Sequence, residues 1–166
     1  MKEISEGLRI IAFPLFTAYL LGIVSRYGVL NSISSSQYFL RKDYKWAFRL
    51  LMFLCGSTIV MTGLDLENLF FIIGGGLIFC VGLFATYKRS KIVNILHVSC
   101  ALGGFAMVVI GFYSYLILLI PTLLIIGYTA WVNSKHSIYV HIWNLEVVTS
   151  YLIFIDLQLI YYIQNY

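Results

Sequence analysis

The stretch LILLIPTLLIIG, residues 116–127, carries no charged side chain and is apolar all round. A membrane-spanning β-strand alternates polar and apolar positions. A run of this kind placed in lipid must instead satisfy its own backbone hydrogen bonds, which a helix does. Crossing about 30 Å of hydrocarbon takes roughly 20 apolar residues. Six segments qualify, approximately 10–30, 47–64, 69–87, 92–112, 115–132 and 138–162. With 61% hydrophobic and 11% charged residues the chain lies outside the range of water-soluble domains. The expected fold is therefore all-α: one domain, residues 1–166, forming a polytopic bundle of six transmembrane spans. The first segment follows MKEISEGLR without a small-residue cleavage site, so it is expected to remain as a span and not to be removed as a signal peptide.

Orientation follows from the basic residues, which concentrate in short cytoplasmic connections. Arg26, Arg41, Lys42, Lys45 and Arg49 flank the first connection, Lys88, Arg89 and Lys91 the third, and Lys135 the fifth. The opposite side collects Lys2 and Arg9, with Asp65 and Glu67 in the second connection. Both termini are expected outside, in a multi-pass protein of the cytoplasmic (inner) membrane. The net charge of +4 is thus a topology signal and predicts no nucleic-acid partner.

The longest polar stretch, NSISSSQYFLRKDYKW at 31–46, falls at the cytoplasmic surface. Ser34 followed by Gln37 fits a capping box, which predicts a short interfacial helix after the first span. Arg41, Lys42, Lys45 and Trp46 pair cations with an amphipathic ring and are candidates for contact with lipid headgroups. Ser32 and Ser34 are candidates for the rim of a site.

Polar groups inside spans are expensive in lipid and count as functional candidates. At 1.5 Å per residue, His97 lies about 9 Å from the cytoplasmic side, and His141 and Glu146 about 6 and 13 Å from it. Asn144, Thr149 and Ser150 share that half. Glu146 and Ser150, four apart, share one helix face, as do His141 and Asn144, three apart. His141 and Glu146 diverge by roughly 140°. Asp156 falls near the outer end. The predicted ligand-binding set is Ser32, Ser34, Tyr38, His97, Trp143, Asn144, Glu146 and Ser150. A zinc site formed by His97, His141 and Glu146 is the alternative, and no metal cofactor is the primary expectation.

Glycines at 74–76, 82, 103, 104 and 111 predict close approach of the third and fourth spans. Pro14 and Pro121 are potential kinks. Cys55, Cys80 and Cys100 lie in apolar segments without metal or redox spacing and read as core residues. Neither HExxH nor GxSxG occurs in the sequence.

Two resemblances carry further expectations. SISSSQY at 32–38, FCVG at 79–82 ahead of Tyr87 and Lys88, VNILHVSCA around His97, and Trp143 with Glu146 resemble a group of small uncharacterised membrane proteins of bacteria and phages. That resemblance implies an architecture and no chemistry, and it points at Ser32, Ser34, Tyr38, His97, Trp143 and Glu146. A serine near the first connection together with His97 is faintly similar to the alkaline ceramidase superfamily, which would imply a metal-dependent lipid hydrolase. His136 and His141 are five apart and depart from the HxxxH of that superfamily. The leading expectation is binding of a membrane lipid headgroup or small ligand, or a regulatory role, ahead of catalysis. A channel or transporter is a third reading, with a homo-oligomeric pore lined by Asp156 as one form of it.

Overall fold

The computed structural model of the chain describes residues 2–86, 88, 90–134 and 138–165, without the side chains of Lys2, residues 138–141 and Asn165. All regular structure among them is helical. Long helices are α1 (Lys2–Tyr27), α3 (Lys45–Asp65), α4 (Leu69–Leu83), α5 (Lys91–Gly111), α6 (Leu116–Asn133) and α7 (Ile138–Asn165). Between α1 and α3 lie a single turn, α2 (Ser36–Phe39), and a 3-10 turn at Lys42–Tyr44. Four stretches are long and apolar enough to cross a membrane: Glu3–Tyr27, Lys42–Asp65, Lys91–Asn133 and Ile142–Gln164. The third is 43 residues long, about twice a span. A 3-10 turn at Phe112–Tyr115 breaks it into α5 and α6. Large apolar side chains such as Leu21, Leu102, Ile117 and Leu124 stand more than 60% exposed, a surface suited to lipid.

Side-chain pairs fix the helix directions. Arg9 meets Thr62 and Tyr19 meets Ser36, so α3 returns antiparallel to α1. Tyr151 reaches Thr17 and Tyr161 reaches Glu6, which makes α7 antiparallel to α1 as well. Along α6 and α7 the pairs Tyr115–Gln164, Thr122–Asp156 and Asn133–Asn144 tie the two helices together. Both termini, the turn after α3 and the turn after α5 therefore gather at one end, the terminus end. The segment 31–44 and the turn after α4 lie at the other, the serine end.

Boundaries differ from the sequence-based segments where polar residues find partners. Helix α1 starts at Lys2, not near residue 10, because Ser5 and Arg9 are buried by 95% or more against α3 and do not lie in a tail. It stops at Tyr27, ahead of Gly28, whose φ of +73° is the left-handed cap that glycine adopts without penalty. Helix α4 ends at Leu83, short of residue 87, with Ala85 buried and its carbonyl accepting from the Tyr38 hydroxyl at 3.4 Å. Tyr87 itself lies outside the described residues. The predicted capping box shifts by two residues. Ser32 and Ser35 exchange it reciprocally, each side-chain oxygen accepting from the other's backbone N–H, at 3.1 and 3.2 Å. Burial of the Gln37 side chain, only 2% exposed, removes it from the role assigned to it.

Helices α3, α4 and α5 pack through glycines. A Cβ at Gly56 would stand 2.7 Å from the Gly75 carbonyl oxygen, and one at Gly75 would stand 2.7 Å from the Gly56 carbonyl oxygen. On the other face of α4, a Cβ at Gly74 would meet the Gly104 carbonyl oxygen at 3.0 Å. Backbones this close gain dispersion contacts, which drive association where lipid removes the hydrophobic contrast. The expected glycine stripe on the third and fourth spans is present, and its partner positions Gly56 and Gly63 on α3 complete it. Gly76 faces open space and takes no part.

Asn68 fixes the start of α4. Its Oδ1 accepts from the N–H groups of Phe70 and Phe71 at 3.0 and 3.3 Å, and its Nδ2 donates to the Gly111 carbonyl at 3.0 Å. One side chain thus caps α4 and ties it to the end of α5. Asn68→Ala is expected to lower stability by about 2 kcal/mol, at the upper end for loss of a cap. Equilibrium unfolding in mixed detergent micelles measures it, and a loss below about 0.5 kcal/mol contradicts the dual role.

Candidate functional site

Five helices and the serine segment converge on a cavity of about 80 Å³. Phe16 of α1, Phe48 and Met52 of α3, Val81 of α4 and Phe105 of α5 supply apolar wall, and Ile33 of the serine segment covers it. Its polar groups are Ser34, His97, Glu146 and Ser150. Glu146 and Ser150 both face inward, as their spacing of four on α7 requires, and the apolar Ile153 and Phe154 continue the same face one turn on. The polar groups lie toward the serine end. Ile59, Ile78, Phe105 and Phe154 line the part nearer mid-bundle. A volume this size admits several water-sized groups or one short chain, not a whole lipid.

Two of the polar residues also hold the cavity in shape. The Ile33 backbone N–H donates to Glu146 Oε2 at 2.5 Å, which pins the serine segment to α7. His97 is 4% exposed and lies within hydrogen-bonding reach of the backbone at Val81 and Phe84. Val81 stands in the last turn of α4 and Phe84 directly follows it, where carbonyls lack intrahelical partners. The imidazole therefore ties α5 to the end of α4 while lining the cavity.

The serine segment is built into the bundle and does not lie flat on its surface. Ile33, Ser35, Ser36 and Gln37 are 6% exposed or less. The Ser36 hydroxyl and the Tyr19 phenol share a hydrogen bond at 2.5 Å, and the Ser36 hydroxyl lies 2.5 Å from the Ile33 carbonyl oxygen as well. Sequence reasoning placed this stretch over the site but missed that depth. The signal was available in the lack of any charged residue between Leu30 and Leu40.

Other predicted site residues go elsewhere. Ser32 pairs with Ser34, hydroxyl to hydroxyl at 3.1 Å, and does not line the cavity. The Tyr38 hydroxyl accepts from the Lys88 N–H at 2.7 Å, and the Lys88 ammonium stands 4.6 Å over the Tyr38 ring, so this tyrosine joins α2 to the turn after α4. Asn144 donates to Asn133 at 2.7 Å across the α6–α7 contact, on the face of α7 turned from the cavity. Trp143 is buried at 4% without lining it. Arg41, Lys42 and Trp46 are exposed at the serine end and Lys45 is half-buried. The side chain of His141, and all of His136, lie outside the described residues. Among the described residues, no three His, Cys, Asp or Glu groups stand together as a metal site would require.

A second polar cluster, at the terminus end, escaped sequence reasoning. Arg9 is 5% exposed. Its Nη1 donates to Ser5 at 2.6 Å and to Thr62 at 3.1 Å and stands 4.0 Å from the Asp65 carboxylate. The guanidinium lies 3.7 Å over the Tyr161 ring, and the Tyr161 hydroxyl donates to Glu6 at 3.3 Å. The available signal was opposite charge at matched depth: Arg9 and Asp65 both fall at the terminus end of the adjacent antiparallel helices α1 and α3.

In chemical terms the cavity offers a carboxylate, an imidazole and two hydroxyls around the polar end of an apolar pocket. That set can donate to and accept from a polar head while the pocket takes an apolar tail. Comparison with protein-family models, with characterised proteins and with solved structures finds no match for the chain.

Proposed function

We propose that the chain is a six-span protein of the cytoplasmic membrane, with both termini outside, whose cavity binds the headgroup of a membrane lipid or a small amphiphilic ligand. One observation carries this reading: Ser34, His97, Glu146 and Ser150, drawn from three separate elements, face one cavity whose remaining wall is apolar. Intramembrane ionisable groups are costly and are retained where they meet a partner or a ligand. Glu146 uses one oxygen on Ile33 and leaves the other available. Its position links occupancy to the serine segment, so a ligand that competes for the carboxylate would loosen that segment, which is the simplest regulatory output. Arg41, Lys42 and Trp46 hold the same end at the headgroup level.

Glu146→Gln tests the reading, because it keeps size and one acceptor while removing charge. Protein purified in a mild detergent is expected to lose at least tenfold of its retained ligand on this substitution, with its melting temperature shifted by only a few degrees. Retention equal to the wild type, with unchanged stability, would overturn the assignment of Glu146.

A further inference from the structure

The charges around the serine-end cavity limit which head it can take, an inference that rests on the binding reading above. Its charge-bearing side chains are Glu146 and His97, and among the described residues neither Arg nor Lys lines it. Arg41 and Lys42 are exposed at the same end and Lys45 is half-buried, all three outside the lining. Even a charged imidazole would only balance the Glu146 carboxylate, so the cavity holds no surplus of positive charge. An ionised carboxylate accepts hydrogen bonds and donates none. Glu146 Oε2 already accepts from the Ile33 N–H, and its other oxygen needs a partner that brings an O–H or N–H of its own. An ionised phosphate or carboxylate head brings acceptor oxygens and a second negative charge instead. Away from water, and with no cation to pair, that charge is costly.

The polar groups are within reach of an incoming head. Ser34, Glu146 and Ser150 are half-buried, whereas His97 is 4% exposed. Glu146 and Ser150 are neighbours one turn apart on α7, close enough for one small head to engage both. Past Ser150 the same face continues as Ile153 and Phe154, which gives a chain an apolar path toward mid-bundle. At about 80 Å³ the cavity has room for one such chain and not for two. We infer that the occupant is a single-chain lipid whose head donates hydrogen bonds and carries no negative charge, an alcohol such as a monoacylglycerol or an amine. Fatty acids and phosphate-bearing heads are excluded by the Glu146 carboxylate.

The test uses the full chain in phosphatidylcholine nanodiscs loaded in turn with monodecanoylglycerol, decylamine, decanoate or decyl phosphate at equal mole fraction, followed by release into the gas phase and counting of retained molecules. One chain length throughout leaves the head as the variable. Monodecanoylglycerol or decylamine is expected to be retained at one copy per chain, and decanoate and decyl phosphate at least tenfold less. The alcohol retained above the amine supports recognition by hydrogen bonds to Glu146 and Ser150; the reverse order supports an ion pair with Glu146. Ser150→Phe is expected to release the retained molecule. In Glu146→Gln the preferred amphiphile is expected to fall at least tenfold while decanoate is unchanged, so that the preference disappears. A preference that survives Glu146→Gln overturns the inference. Decanoate or decyl phosphate retained as well as the other two, and released by Ser150→Phe, overturns the head chemistry and leaves binding in the cavity standing. Retention of none of the four, or retention that Ser150→Phe does not reduce, contradicts binding in the cavity and this inference with it.

Discussion

Gly75→Ala is expected to destabilise the bundle by at least about 1–3 kcal/mol, the range for overpacking a closely fitted contact. An added methyl at Gly75 would lie 2.7 Å from both the Gly56 carbonyl oxygen and the Val60 amide nitrogen. Both are backbone atoms on α3, so neither can rotate away, and the two helices must separate. Separation loses contacts all along the α3–α4 interface. Gly76→Ala is the control within the same triplet, since nothing lies within 4 Å of its added carbon. It should be neutral or up to about 1 kcal/mol stabilising, through the better helix propensity of alanine. Denaturation of both variants in mixed micelles measures the contrast. Equal stability of the two would mean that α3 and α4 do not approach through Gly56 and Gly75.

Asp65→Ala carries the other large effect, about 3 kcal/mol of lost stability. The Asp65 side chain is 6% exposed and the Arg9 side chain 3%. Removing the carboxylate leaves the guanidinium buried with two hydroxyls and the Tyr161 ring as its remaining company. Breaking one partner of a buried pair is strongly destabilising, whereas replacing both by apolar residues is often close to neutral. The double variant Arg9→Met with Asp65→Leu is therefore expected to recover most of the loss, and the cycle gives the coupling energy directly. A single variant within about 0.5 kcal/mol of wild type would show the pair to be solvated and not structural.

Much of this architecture is legible in the sequence. Apolar length and the absence of alternation give helices, and α3, α5, α6 and α7 match the expected segments closely because charged or polar residues stand at their ends. The glycine triplet announces close packing, although its geometry distinguishes Gly74 and Gly75 from Gly76, which spacing alone does not separate. In the site, depth and helical phase bring Ser34, His97, Glu146 and Ser150 to one cavity. Phase is also why Asn144 departs: two residues from Glu146, it lies on another face of α7 and meets Asn133. Sequence is least informative where polar residues change role on burial. A charged start such as KEISEGLR reads as a tail until Ser5 and Arg9 find α3, and SSSQ reads as surface until Ser36 finds Tyr19. Those partners are 53 and 17 residues away along the chain, beyond what local spacing encodes.

The most direct test of the central claim is native mass spectrometry of the wild-type protein released from a mild detergent, with zinc measured on the same sample. An occupied cavity predicts one retained amphiphilic species per chain, displaced when Ser150→Phe fills its polar end, with no stoichiometric zinc. A chain that arrives bare, or one from which no retained species is lost on Ser150→Phe, contradicts ligand binding at His97 and Glu146. Zinc at one ion per chain, lost on His97→Ala, contradicts it in favour of the metal-dependent hydrolase.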